Sequence, residues 1–171
     1  MQVRDATEDD LLQILEIYNQ VLRDSTAIYD DEPSTLQERR DWFADRKAKG
    51  FPVLVAVRDG VVLGFASYGP WRTRWGYRFT VEHSVHVHAD HRGKGIGGAL
   101  LRPLMAHAKQ AGMHVMVAGI DAENVHSIRF HERFGFEVVG RAKQVARKFD
   151  RWLDLVTMQL FLDDGDHPRA A

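Results

Sequence analysis

Cysteine is absent from the 171 residues of this chain. Its absence excludes disulfide bonds, thiolate metal sites and a cysteine nucleophile, so a group transfer here does not pass through an acyl-cysteine. Apolar runs long enough to span a bilayer are also absent, and the segment from Met1 to Asp5 lacks the apolar core of a signal peptide. We therefore expect a cytoplasmic protein that has no membrane partner.

The chain also lacks an excess of charge of either sign. Its 23 Lys and Arg residues nearly balance 24 Asp and Glu residues, which leaves a formal net charge of -1. Because no global field then attracts nucleic acid, we expect a small-molecule partner and no nucleic acid. With 44% hydrophobic residues the chain can form one domain with a substantial core. We predict a single domain over residues 1–162 and a polar tail at 163–171.

Strand and helix patterns alternate along the chain. Two β-branched apolar runs, 53–57 and 61–68, are joined by the turn sequence Asp59-Gly60 and predict an antiparallel hairpin. Capping boxes predict the beginnings of two helices, at Thr7 with Asp10 and at Thr35 with Glu38. The other predicted elements are strands at 2–6, 79–88, 114–120, 136–140 and 152–162, a helix that begins near Ala99 and is marked by apolar residues from Ile96 to Met105, and a helix capped by Asn124. This alternation, together with the hairpin, predicts a mixed α/β sheet.

A glycine-rich run lies between a predicted strand and a predicted helix. It consists of Arg92, Gly93, Lys94, Gly95, Ile96, Gly97 and Gly98. With so little side chain present, successive backbone N–H groups can converge on one anion, and the helix that follows contributes the positive end of its dipole. The run therefore predicts that the chain binds a phosphorylated ligand.

Two other interpretations of this run remain open. Gly93, Gly95 and Gly98 also satisfy the dinucleotide motif G-x-G-x-x-G. A Rossmann fingerprint, however, belongs to an opening βαβ unit, whereas two predicted helices and a hairpin precede this run. The acids Asp121 and Glu123 are only loosely placed for a ribose contact. The other interpretation is an ordinary glycine turn with solvated charges.

Two motifs in order match acyl-coenzyme A binding. Arg92, Gly95 and Gly97 satisfy the signature Q/R-x-x-G-x-G/A. A companion motif follows downstream, formed by Asn124, Ser127, His131, Gly135 and Phe136. On these motifs the chain resembles the GNAT superfamily of N-acetyltransferases over nearly all of its length.

Longer blocks resemble one subgroup, the phosphinothricin and methionine sulfoximine (or methionine sulfone) N-acetyltransferases. These blocks are Gly69 to Arg72, Tyr77 to Val85, Val115 to Ile120 and Lys148 to Asp154. The resemblance implies a mostly antiparallel sheet flanked by helices, acetyl-coenzyme A as the donor, and commonly a homodimer. It also implies that the acceptor is the α-amine of a small amino acid analogue.

Glu82 is the candidate general base. Alternation along the predicted strand places it on one face with Thr80 and Ser84, and from there it can take a proton from the substrate ammonium directly or through water. The resemblance implies that the backbone of the same strand pairs with the pantetheine arm. The predicted cofactor-binding residues are Val85, His86, Val87, Arg92, Gly93, Lys94, Gly95, Ile96, Gly97, Gly98, Asn124 and Ser127.

Other roles for these side chains stay open. Glu82 could be a buried structural carboxylate held by an arginine, or a metal ligand with His86 and His88, which share its face. The nine histidines are scattered without a supporting pattern, so we predict no metal. His131 occupies the position where many superfamily members carry a tyrosine that protonates the leaving thiolate. An imidazolium could serve there, and a surface histidine on a helix is the alternative.

The irregular segment before this strand predicts substrate specificity. Arg72, Arg74 and Arg78 occur among aromatic residues without an intervening acid, and guanidinium groups suit a carboxylate and a polar tetrahedral head group. The predicted substrate-binding residues are Tyr29, Arg72, Arg74, Trp75, Gly76, Tyr77, Arg78 and Glu82, of which Tyr29 rests on family analogy alone. A solvated loop and a site for single-stranded nucleic acid are the alternatives.

The sequence thus predicts an enzyme that acetylates L-methionine sulfoximine, L-methionine sulfone or phosphinothricin by direct transfer in a ternary complex. Two alternatives remain. One is an acetyltransferase for another small amine or a protein amino terminus, and the other is a coenzyme A sensor without turnover.

Overall fold

The computed structural model describes residues 1–163, and the predicted tail lies outside the described residues except for Asp163. The helices are α1 (Leu11–Asp24), α2 (Leu36–Ala48), α3 (Ile96–Gln110) and α4 (Val125–Glu132). The strands are β1 (Gln2–Asp5), β2 (Val53–Arg58), β3 (Val61–Pro70), β4 (Thr80–Val87), β5 (Val115–Asp121), β6 (Glu137–Lys148) and β7 (Arg151–Phe161). None of the helices in this part of the chain is long and apolar enough to cross a membrane.

The strands form one 7-stranded sheet in the order β1-β2-β3-β4-β5-β7-β6. The β4 and β5 strands are parallel, and the other recorded pairs are antiparallel. This confirms the predicted mixed, mostly antiparallel sheet. It also shows that the dinucleotide interpretation is wrong, because a Rossmann domain requires a doubly wound parallel sheet.

The local signals at turns and helix starts were informative. Asp59 and Gly60 both have positive φ, 52° and 79°, as a two-residue hairpin turn requires. At the start of α2, the Glu38 N–H donates to the Thr35 hydroxyl at 3.3 Å, and the Thr35 N–H donates to the Glu38 carboxylate at 2.7 Å. These pairs confirm the predicted hairpin and the predicted capping box.

The predicted strand at 136–140 was much too short. The β6 strand continues to Lys148 and forms a long hairpin with β7, closed by Phe149 and Asp150 at φ of 51° and 56°. Most of β6 is exposed on both faces, and its pairing shifts register between Ala142 and Ala146. Without a buried face there is no apolar alternation, so the usual strand signal is missing.

Apolar side chains cover both faces of the sheet. On one side Leu100, Leu101 and Leu104 of α3 pack with Met116 and Met158 of the sheet. On the other side α1 and α2 cover the sheet, through core residues that include Leu11, Ile14, Ile17, Phe43 and Phe65. The sheet is therefore sandwiched between two helical layers, with β4 as its central strand.

A gap between β4 and β5 positions the candidate site. Register pairs join Thr80–Glu82 to Val115–Val117, and none joins the rest of β4 to β5 within the described residues. The β3 strand still pairs with β4 as far as Val87. One edge of β4 is therefore open after Glu82, and the two strands separate into a groove.

Candidate active site

The groove between β4 and β5 encloses about 1800 Å³ and continues under α1 and α2. It brings together thirteen of the predicted site residues: Glu82, Val85, His86, Val87, Arg92, Gly93, Gly95, Ile96, Gly97, Gly98, Asn124, Ser127 and His131. Eight others are not among its lining residues within the described chain: Tyr29, Arg72, Arg74, Trp75, Gly76, Tyr77, Arg78 and Lys94. The predicted cofactor residues therefore converge, whereas the predicted specificity loop does not line the groove.

The glycine-rich loop has the geometry of an anion cradle. Gly93 and Gly95 have φ of +74° and +79°, and a Cβ added to either would meet nothing within 4 Å. Gly95 is the residue before α3, whose first N–H groups have no intrahelical partners. The Arg92 Nε donates to the Val87 carbonyl at 3.4 Å and ties the loop to β4. An exposed backbone at a helix N-terminus fits the pyrophosphate of coenzyme A.

Two predicted cofactor residues have structural partners in the loop and helix. The Lys94 ammonium donates to the Asp90 carbonyl at 2.8 Å. The Asn124 side chain caps α4 by accepting from the Ser127 N–H at 3.0 Å. These contacts fix the loop and the start of α4 at the groove.

The open edge of β4 fits an extended ligand. Val85, His86 and Val87 pair with β3 on one side only, and their other backbone groups face the gap. An extended pantetheine arm can accept and donate hydrogen bonds there as an added strand does. The residues present therefore fit acetyl-coenzyme A.

The Glu82 carboxylate lies where this open edge begins. It is accessible from the groove, and within residues 1–163 it has no hydrogen bond or ion pair. The protein around it raises its pKa by desolvation, while the charge of Arg72 acts in the opposite direction. A structural carboxylate held by an arginine is therefore the wrong interpretation, because no arginine in the described part of the chain forms an ion pair with it.

His131 is buried rather than on the surface, since only 6% of the residue is exposed. Its Nδ1 is 2.7 Å from the Ser127 carbonyl, and this hydrogen bond assigns the ring proton to Nδ1. Burial lowers the pKa of the ring, so it is neutral near pH 7. The Nε2 atom is buried without a partner in the described structure.

His83 lies beside His131 and was not predicted as a site residue. The two ring centroids are 5.1 Å apart, and both His83 nitrogens are buried without hydrogen-bond partners in the described residues. Burial lowers the pKa of His83 to about 3. The one available signal was a polar residue between Val81 and Val85, on the face of the strand opposite to Glu82.

In the predicted specificity loop, the irregular segment from Trp71 to Arg78, arginine side chains stack on aromatic rings of the same loop. The Arg72 guanidinium lies 4.8 Å from the ring of Trp71, and the Arg78 guanidinium lies 4.7 Å from the ring of Trp75. Trp75 is 75% exposed. Arg72 nevertheless lies close enough to Glu82 to lower the pKa of its carboxyl.

Sequence reasoning missed the side chains that α1 and α2 contribute to the groove. Tyr18 comes from α1, and Arg39, Trp42 and Arg46 come from α2. For the three α2 residues, the spacing is the signal that could have identified them, because residues three, four and seven positions apart share a helix face.

The metal alternative has no geometric support. Within residues 1–163, no group of three His, Cys, Asp or Glu side chains could hold an ion. The His86 ring instead packs against Phe65 and Tyr18, with centroid distances of 5.2 and 6.2 Å.

A split β4–β5 edge, a glycine cradle at a helix N-terminus and an unpaired carboxylate define an acyl-coenzyme A-dependent acyltransferase site. Residues 12–136 match the family model described as the acetyltransferase (GNAT) family. The chain belongs to the GNAT family of acetyltransferases, which confirms the family resemblance.

Individual relatives and solved structures agree with this family assignment. The chain is 51% identical over 162 residues to the L-methionine sulfoximine/L-methionine sulfone acetyltransferase of Pseudomonas aeruginosa, with 94% of each chain covered. An acetyltransferase from Salmonella typhimurium, solved with acetyl-CoA, has a TM-score of 0.96 and 46% identity, covering 99% of this chain and 98% of its own. A phosphinothricin acetyltransferase from Sinorhizobium meliloti, in complex with acetyl-CoA, has a TM-score of 0.95 and 36% identity, covering 99% and 92%.

Proposed function

We propose that this protein transfers the acetyl group of acetyl-coenzyme A to the α-amine of a small amino acid analogue. The acceptors are L-methionine sulfoximine, L-methionine sulfone or phosphinothricin. The names of the relatives support this acceptor class. The observation that carries the chemistry is the unpaired Glu82 carboxylate at the point where β4 and β5 separate.

Each part of the site has its own role in this reaction. Backbone amides at the start of α3 bind the pyrophosphate, and the open edge of β4 orients the pantetheine arm and faces an N–H toward the thioester oxygen. Acetyl-coenzyme A supplies the acetyl thioester when bound. Glu82 removes a proton from the substrate ammonium, directly or through one water. The neutral amine nitrogen then bonds to the acetyl carbon and loses its second proton to water as the carbon–sulfur bond breaks, and coenzyme A leaves as the thiolate and takes up one proton.

We retain His131 as the proposed proton donor to the departing thiolate. Its position in the groove supports this role. In the neutral ring the one proton is on Nδ1 and bonds the Ser127 carbonyl, so Nε2 must first take up a proton from water in the groove before it can pass that proton to the thiolate. His131→Gln removes this proton, and a fall in kcat with an unchanged KM for the acceptor would support the role.

The acceptor class is tested by measuring coenzyme A release with each analogue, with unmodified amino acids and with peptides. We expect turnover with the analogues and little with peptides, because a pocket for a free carboxylate rejects a peptide bond at that position. Turnover that favours peptides would overturn the proposed acceptor. Tight binding of coenzyme A with no turnover across the panel would instead favour a sensor.

We also propose a homodimer that works in the cytoplasm, where acetyl-coenzyme A is available. Large apolar side chains exposed on the β6–β7 hairpin support self-association: Val138, Val139, Val145, Phe149 and Trp152. Sedimentation equilibrium tests this directly. Wild type should sediment as a dimer and Trp152→Glu should weaken it, whereas a monomer at all concentrations would overturn the proposal.

A further inference from the structure

We propose that Arg39 and Arg46 of α2 bind the α-carboxylate of the acceptor. This inference rests on the proposed function and assigns a role that the sequence had given to the loop before β4. It identifies the two side chains that make the groove select a free amino acid.

The two arginines occupy one face of α2. They are seven residues apart, which is close to two helical turns, and Trp42 lies between them on the same face. Both side chains line the groove. They are near enough for the charge of Arg46 to act on Arg39.

Neither guanidinium has a full set of partners. The Nε atoms of Arg39 and Arg46 are buried without hydrogen bonds in the described structure. The ion pair of Arg46 with Asp45 is long, at 3.6 Å. Glu38, the acid next to Arg39, is already bound to Thr35. Burying two neighbouring cations whose N–H donors lack hydrogen bonds costs free energy. An anion that accepts hydrogen bonds from both would offset this cost.

Aromatic rings hold the pair in place. The Arg39 guanidinium lies 4.2 Å from the Tyr18 ring centroid and 4.8 Å from that of Trp42. Arg46 lies 5.9 Å from the ring centroids of both Trp42 and Phe51. Stacking fixes the planes of the guanidinium groups while leaving their N–H edges free, which is the arrangement that suits a bidentate carboxylate.

The position of Arg46 relative to the base identifies which anion is bound. Its guanidinium covers Gly69, because a Cβ there would lie 2.7 Å from Cζ. Gly69 is the register partner of Glu82 across β3 and β4. Directly opposite residues in an antiparallel pair have Cα atoms about 5 Å apart. Since the amine and carboxylate of an amino acid share one carbon, an amine beside Glu82 places its carboxylate within reach of this guanidinium.

The experiment compares L-methionine sulfone with its carboxamide, which lacks the negative charge. Wild type should prefer the acid. Arg39→Gln and Arg46→Gln should each lower kcat/KM for the acid at least tenfold and leave the carboxamide within about twofold, so the acid-to-amide ratio falls. Arg40→Gln, an exposed neighbour on α2, is the matched control and should keep the wild-type ratio.

Further measurements separate a loss of carboxylate binding from a loss of cofactor binding or of folding. Acetyl-CoA affinity should be unchanged in the arginine variants. If they fail to fold, Gly69→Ala keeps both arginines and displaces the Arg46 guanidinium, whose atoms are the three nearest to the added methyl, and it should also lower the ratio. An unchanged acid-to-amide ratio in the folded variants, or a selective loss of phosphinothricin relative to the sulfone, would overturn the proposal. Wild-type turnover of the free acid tests the proposed function separately.

Discussion

Glu82 on β4 lies against Gly119 on β5, and its Oε1 is 3.0 Å from the position that a Cβ on Gly119 would take. The absence of a side chain at Gly119 thus makes room for the carboxylate at the point where the two strands separate.

Gly119→Ala tests whether this placement matters for catalysis. The added methyl must displace the carboxylate by a few tenths of an ångström, and small errors in the position of a base are costly. We expect kcat to fall by about tenfold, with little change in acetyl-CoA affinity. Gly140→Ala is the control, because a Cβ there meets nothing within 4 Å. An unchanged kcat in Gly119→Ala would show that the placement is not critical.

Arg72→Gln should move the acidic limb of the pH profile to higher pH. The positive charge of Arg72 lowers the pKa of Glu82, whereas burial raises it. Removing that charge therefore raises the pKa, and the active carboxylate form is lost at a higher pH as the solution is acidified. The measurement is the pH dependence of kcat/KM, with Arg74→Gln as the control. A limb that stays fixed or moves to lower pH would contradict the proposed base.

Gly95→Ala should weaken the binding of coenzyme A. Alanine at a φ of +79° is strained by roughly 1–2 kcal/mol, so the cradle would distort and we expect the Kd to rise about tenfold. Gly60→Ala is a matched control, because Gly60 has the same φ and equally open surroundings in the β2–β3 turn. Calorimetry should give that control a wild-type Kd. Equal affinity in both variants would argue against the cradle.

His83→Phe should reduce the sensitivity of folding to acid. The pKa of His83 is about 3 in the folded protein, well below its ordinary value of 6.5. The unfolded chain therefore takes up a proton that the folded protein does not, and stability falls as the pH drops below about 6.5 toward 3. One such proton is worth about 2 kcal/mol between pH 6.5 and 5.

Urea unfolding at pH 7.5 and pH 5 measures this difference. His83→Phe should lose less stability on acidification than wild type, while the exposed His126→Gln should behave as wild type. The same loss in all three proteins would show that His83 does not carry the effect.

The sequence predicted those parts of the fold that depend on local chemistry. Glycines that adopt positive φ and residues that cap helices act through local chemistry, so the β2–β3 turn and the start of α2 were placed correctly. The course of β6 was missed because an exposed strand has no apolar periodicity. Arg39 and Arg46 were missed because a charged residue on an amphipathic helix is usually solvated, and only the tertiary structure shows which face meets the groove.

Lys148 illustrates a long-range contact that no local pattern predicts. Its ammonium donates to the Leu22 and Ile28 carbonyls, each at 2.6 Å, although they lie more than a hundred residues away. It thereby ties the end of β6 to the segment after α1 that borders the groove. A lysine in a polar strand is ordinarily exposed, yet only 2% of this residue is.

Turnover of L-methionine sulfone by Glu82→Gln, measured together with the acetyl-CoA affinity of the variant, tests the account most directly. Glutamine keeps the shape of the side chain and cannot accept a proton at pH 7. We predict a kcat at least a hundredfold below wild type, the lower range for loss of a general base, with an unchanged Kd for acetyl-CoA. A kcat within twofold of wild type would contradict the assignment of Glu82 as the base.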